Sequence, residues 1–315
     1  MNKKNLLSII LLLPAFFLFA DEPEEEEKAW ELSGFFQQNM NQVSFTNWAA
    51  GGENSFSSTS RARFNANYEQ GYYAWENYVD LAYGIVKLED NPTRKNTDNI
   101  DVFTKLGRKI SEKFSYTALA NFQSQFNKGY QYPNDSIVVS RFMAPAYLTV
   151  ALGFDYKPWE FLSVFFSPAT GKFTYVTNQV LADQGAYGVD PAEYDDLGNK
   201  VKDGRNINPE FGASVRIQFE KEVLPNVQIN SRIVLFNNYT DEDVSNRKNT
   251  DVDWITNINM PINKFLTASV GFHLLYDHDI LIPRYETQNG EQVQVGMRPT
   301  TQFKQQLGIG LVYNF

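Results

Sequence analysis

The chain has 315 residues, with 28 Lys+Arg against 37 Asp+Glu, a formal net charge of −9, and no cysteine. That balance argues against nucleic-acid binding. The missing thiols exclude a disulfide framework, a thiolate metal site and a lipid anchor on an N-terminal Cys. Negative mean hydropathy, with no long apolar run after the N-terminus, excludes a bundle of membrane-spanning helices but not a barrel, in which only alternate residues are apolar.

At the N-terminus, Lys3 and Lys4 precede an apolar run from Leu6 to Leu18. The run is shorter than the ~20 residues of a helical span and suits the core of a signal peptide. Residues 1–20 are therefore expected to be a cleaved leader ending at Ala20, the bulk of Leu18 leaving the exact cut open. Residues 21–30, with Glu24 to Glu27 in succession, predict an acidic periplasmic tether.

Residues 31–315 alternate apolar and polar in segments of about ten, the spacing of strands that meet lipid on one face and a polar lumen on the other. A strand over 32–45 leads into a Gly-containing loop at 47–54. The next places Phe56, Ala62, Phe64, Ala66 and Tyr68 opposite Thr59, Arg61, Arg63 and Asn65. After a turn at Gln70 and Gly71, Tyr73, Trp75, Val79 and Leu81 oppose Glu76, Tyr78 and Asp80. Further strands are predicted near 101–109, 114–126, 148–157, 161–167, 210–220, 227–237, 252–262, 266–276 and 301–315. The fold class predicted is thus all-β, a transmembrane antiparallel up-and-down barrel of about twelve strands.

Loop lengths segregate by parity. Turns near Gly71, Glu112, Pro158, Pro225 and Asn263 are short, whereas connections near Gly52, Pro92, Pro133, Asp190, Asp243 and Asn289 are long. Short periplasmic turns and long outer loops are the usual asymmetry of such barrels, so both termini are expected in the periplasm of a Gram-negative bacterium. Aromatic girdles are expected from Tyr68, Tyr73, Trp75, Tyr116, Tyr313 and Phe315 at the periplasmic ends and Tyr83, Phe126, Trp254 and Tyr276 at the outer ends. The longest outer segment, 168–209, carries Phe173, Tyr175, Val176 and Leu181, which favours an ordered element folded over or into the mouth.

The inward register holds charges of both signs: Arg61, Arg63, Glu76, Asp80, Asp101, Lys105, Lys109, Asp155, Arg216, Arg232, Asp253 and Lys304. With Tyr68 opposite Tyr73, Arg61 faces Asp80 and should pair with it. With Met260 opposite Leu266, Asp253 faces His273. An Asp beside a His is compatible with catalysis, yet a nucleophilic Ser on an exposed elbow is missing from the sequence, so a structural hydrogen bond is the expectation and no catalytic residue is assigned. His278, between Asp277 and Asp279, is the second imidazole of only two. It and the acidic clusters at Asp241, Glu242 and Asp243 and at Asp195 and Asp196 are read as solvated loop charge, not as a metal site, and no cofactor is expected.

Two motifs carry a resemblance. Asn47, Trp48, Gly51, Gly52 and Asn54 in the first loop, and Pro168, Gly171 and Lys172 leading to Gly185, Tyr187 and Gly188, resemble an uncharacterised, domain-of-unknown-function group of Bacteroidota outer-membrane β-barrel proteins. The likeness extends over most of the mature chain and implies an outer-membrane barrel, but it brings no activity and no functional residue. The last strand, with Leu307, Ile309, Leu311, Tyr313 and Phe315 on one face, resembles the terminal signal read by barrel-assembly machinery.

Outer-membrane lipid and lipopolysaccharide are the expected surroundings, with an unknown outer-membrane or periplasmic protein as a further partner. Three functions stay open: a porin-like or narrow channel for small hydrophilic solutes, a non-conducting structural or partner-binding barrel, and an outer-membrane lipid hydrolase.

Overall fold

The computed structural model describes residues 29–46, 49–50, 52–89, 91–132, 135–288 and 291–315. The expected leader, most of the acidic tether and Asn47, Trp48 and Gly51 lie outside the described residues. Twelve long strands form the wall: β1 (Trp30–Val43), β2 (Ser55–Gln70), β3 (Tyr73–Leu88), β4 (Arg94–Lys109), β5 (Phe114–Ser124) and β6 (Ala146–Trp159), then β7 (Leu162–Tyr175), β8 (Ile207–Leu224), β9 (Val227–Asn238), β10 (Asp251–Pro261), β11 (Leu266–Tyr276) and β12 (Gln302–Asn314). They follow one another in chain order as antiparallel neighbours, and β12 returns to β1, closing the barrel.

Alternation explains the wall. On β1, Leu32, Phe36 and Met40 point outward and are exposed, while Gln37 between them is buried in the lumen. The same phase leaves Leu152, Phe166, Phe211, Leu307 and Leu311 on the outside. An outer surface so apolar has no place in water, and a closed ladder is the only sheet that satisfies its backbone groups in hydrocarbon. At the turn end, Trp30 packs against Tyr68 and Trp75 with ring centroids 5.2 and 5.5 Å apart. Tyr73, Tyr116, Tyr313 and Phe315 continue that girdle, and Phe126 and Trp254 stand exposed toward the loop end.

Strand β7 departs from expectation. It does not stop near residue 167 but runs on through Pro168, Gly171 and Lys172 to Tyr175, so the long loop spans only 176–206. A bulge makes this possible: Leu152 pairs with Ala169 and Phe154 with Phe166, leaving Ser167 and Pro168 opposite Gly153. Proline donates nothing and is tolerated at a bulge. The Ser167 hydroxyl donates to the Leu152 carbonyl and accepts from the Ala169 amide, stitching the irregularity.

The long loop folds on itself and across the mouth. Asn178 caps a short helix, α1 (Gln179–Asp183), by accepting the amides of Val180 and Leu181. Val176, Leu181, Ala182 and Val189 are buried with Ala144 of the preceding long loop. Tyr187, at a positive φ of 62°, donates from its hydroxyl to the Val139 carbonyl at 2.7 Å. A side chain at Gly188 would meet Asp279 of the β11–β12 loop at 3.0 Å. The segment 185–188 therefore bridges loops from opposite sides of the barrel.

Candidate functional site in the barrel lumen

The inward charges gather into layers. At mid-height the Asp80 carboxylate accepts Nε and Nη2 of Arg61 at 2.9 and 2.6 Å and Nη1 of Arg63 at 3.5 Å. The register differs by two residues from the one expected: Tyr68 pairs with Trp75, and Arg63 stands opposite Asp80. The bidentate pair nevertheless belongs to Arg61, because a guanidinium on a long stem reaches diagonally across the ladder.

β10 and β11 repeat this outcome. Met260 pairs with Ala268 instead of Leu266, and His273 stands opposite Ile255, yet Nε2 of His273 lies 2.8 Å from Oδ1 of Asp253. Among the described residues no hydroxyl side chain is hydrogen-bonded to that imidazole. His278 turns away from its acidic neighbours, toward Asn246 and Tyr276, and Asp277 is held by Lys172. No group of three or more metal-binding side chains occurs among the described residues. Asp195, Asp241 and Asp243 accept nearby backbone amides within their own turns.

Aromatic side chains complete the mid-height layer. Tyr78 and Phe103, on β3 and β4, stack with centroids 4.8 Å apart and are buried with Leu119, Ala151 and Phe165. Arg63 lies 4.1 Å over Tyr78 and Arg216 4.2 Å over Phe103. The Tyr78 hydroxyl accepts from Arg216 and Arg232 and donates to Asp101, its full capacity of one donor and two acceptors. Arg232 also meets Asp101 at 3.1 Å and Asp253 at 3.7 Å. On the other side, Gln37 donates to Ser269, which donates to Asn259. That bridge passes over Gly308 and Gly310 of β12, where an added side chain would meet Asn39, closely at Gly308 and in collision at Gly310. Every strand except β12 thus contributes a side chain.

Nearer the turn end, Lys105 lies 3.0 Å from both Glu76 and Asp155, and Lys157 closes on Glu76. Lys109 pairs with Glu69 at the rim. Between this rim and the mid-height layer opens a cavity of about 890 Å³, floored by Arg61, Arg63, Tyr78 and Phe103. Its walls carry the amides of Gln37, Asn65, Gln218, Asn230, Asn257 and Asn259. Toward the loop end, Lys172 sits among Glu210, Asp251 and Asp277 at 3.3, 2.9 and 3.0 Å. Beside it, burial and the neighbouring Asp277 push the Asp279 carboxyl up to about 6. Lys304 stands opposite His273 on the β11–β12 ladder but makes no ion pair among the described residues.

Tyr78 and Asp155 share the inward phase recognised from the sequence, whereas Phe103, Leu119, Phe165 and Gln37 were not singled out there. Their parity with Asp101 and Lys105, Thr117, Ser163 and Ser33 carries the signal, but an apolar residue at an inward position resembles noise in the alternation. Of the motif residues, Gly185 and Gly188 take positive φ angles of 68° and 81°, and the Asn54 side chain accepts the Phe45 amide. Gly52, with φ of 150°, has the Phe45 ring where a side chain would stand.

A closed, even-stranded, up-and-down barrel with an apolar outer wall and a charged interior is an outer-membrane barrel. The model of a family described as a protein of unknown function (DUF3078) matches residues 40–130. Among curated proteins none matches. An outer membrane channel from Pseudomonas putida F1 is 10% identical, with 93% of this chain and 100% of that one covered and a TM-score of 0.39. The translocator domain of the autotransporter NalP from Neisseria meningitidis is 9% identical, covering 89% and 86%, TM-score 0.35. The outer membrane channel DcaP of Acinetobacter baumannii is 10% identical, covering 91% and 97%, TM-score 0.34. Similarity at this level carries no argument about function.

Proposed function

We propose that this chain is an outer-membrane barrel that is non-conducting at rest and receives a small hydrophilic ligand in its turn-side cavity, with both termini and the short turns in the periplasm. The observation that carries the reading is the mid-height layer, in which side chains from eleven strands, paired charges and stacked aromatics among them, occupy the lumen. The cavity is lined by amides that both donate and accept and by charged groups of both signs, such as Arg61, Glu76, Lys157 and Glu220, which suits a polar ligand without net charge. The loop-length parity supports the orientation.

A narrow channel for small hydrophilic solutes is the second reading. It is favoured by the construction of the layer from side chains of the wall, which can change rotamer without moving a strand. Planar-bilayer recordings of refolded protein separate the two. The wild type is expected to be silent at all voltages, and Tyr78→Ala combined with Phe103→Ala should produce a leak. Stepwise conductance in the wild type would overturn the first reading in favour of the second.

A further inference from the structure

The seam between β1 and β12 is zipped over only part of its length. The ladder joins Phe35 to Asn39 with Asn314 to Gly310, and Gly34 and Phe315 exchange one further pair of backbone bonds. Toward the loop end, Gln302 to Ile309 pair with β11 on one side, but on the β1 side they have no ladder partner among the described residues. Met40 to Val43 of β1 likewise pair only with β2. In hydrocarbon an unpaired strand edge is strongly unfavourable, which leaves this edge open to a hydrogen-bonding molecule.

Two further observations say what kind of molecule it is. On the outer wall beside the gap, where apolar residues belong, Gln38 faces Ser60 across the ladder. Its amide donates to Ser58 at 2.9 Å and its carbonyl accepts from Ser60 at 2.6 Å. Behind the gap, Lys304 and Gln306 of β12 turn into the lumen and reach Asn96 and Thr97 of β4, at 3.5 and 3.1 Å. Lys304 has no acidic partner among the described residues, whereas Lys105, Lys109 and Lys172, also in the lumen, each have one. Flanking the polar opening, Phe303, Leu307 and Ile309 project outward, Leu307 being 81% exposed.

We propose that the loop-side half of this seam is a lateral binding site for a membrane amphiphile with an anionic head group. Its acyl chain lies along Phe303, Leu307 and Ile309, and its head group enters between β1 and β12 to meet Lys304, with the free edge amides and the Gln38–Ser58–Ser60 cluster as further hydrogen-bonding groups. The site is separate from the turn-side cavity and does not depend on what that cavity holds.

The test uses the full barrel in phosphatidylcholine vesicles doped with acyl-chain nitroxide-labelled phosphatidylglycerol or phosphatidylcholine. The immobilised fraction in the spin-resonance spectrum should be larger for phosphatidylglycerol. Lys304→Gln should reduce that preference about fivefold, the scale of one partly solvated charge pair. Gln306→Glu, which supplies the missing carboxylate from within, should do the same while unheated gels show the barrel folded. Equal immobilisation of both lipids by the wild type, or a preference that survives both substitutions, overturns the site. In a chain that has no native cysteine, an Ile309→Cys disulfide linking two copies in the membrane would also overturn it, by assigning the edge to a second polypeptide.

Discussion

The Tyr78 hydroxyl ties three charged groups of the lumen together, since two guanidinium groups donate to it and it donates to Asp101. Arg216 makes no ion pair among the described residues and depends on this oxygen and on the Phe103 ring. Tyr78→Phe keeps the stacking and removes the acceptor, leaving the buried Arg216 Nη2 donor unpaired while Arg232 keeps Asp101. The expected cost is about 2 kcal/mol, measured as a lower urea midpoint for unfolding from lipid vesicles. A hydroxyl with this role was only partly legible: the phase of β3 places Tyr78 inward, but Arg216 and Arg232 come from strands more than 130 residues away.

Among the elements, the long loop has the most conditional position. Its segment 185–188 rests on the β11–β12 loop at Asp279, whose carboxyl is raised to about 6 by burial and by Asp277, against the opposing pull of Lys172. An acid whose folded pKa lies above its unfolded value binds more protons when folded. Docking is therefore strongest below the unfolded value, near 4, and weakens as pH rises through about 6. Amide exchange of residues 185–188 should accordingly be faster at about pH 8 than at about pH 5, and Asp279→Asn should abolish the difference. An exchange rate corrected for intrinsic chemistry that does not change with pH would contradict this. The sequence indicated an ordered loop through its apolar residues, but not where the loop begins, because Pro168 reads as a strand breaker until the bulge opposite Gly153 is seen.

For the whole molecule, closure rests on the short ladder between β1 and β12. Gly310 lies where an added side chain would collide with the Gln38 carbonyl and with Asn39. Gly310→Ala should therefore loosen the last hydrogen-bonded stretch of the seam, and the barrel should lose its compact form in detergent. Migration of unheated samples at the position of unfolded chain would show it. The neighbouring Gly308, where only the flexible Asn39 side chain is close, at 3.3 Å, should tolerate alanine far better.

Alternation with a period of two determined, from the amino-acid order alone, that this chain is a twelve-stranded closed barrel with an apolar outside, and it assigned the charged residues to the lumen. The reason is local: successive side chains on a strand point to opposite faces whatever the neighbours do. The same rule underlies the pairing of Arg61 with Asp80 and of His273 with Asp253, which survived a two-residue error in register because a shift of two preserves the face and long side chains span the diagonal. Tertiary structure alone decided that the inward side chains meet across the lumen in one layer, that a cavity lies beneath it, and that the seam has no ladder toward the loop end among the described residues. Those outcomes depend on strand stagger, barrel diameter and the glycines facing Asn39. Each is set by contacts between residues far apart in the chain, which the period of a single strand does not encode.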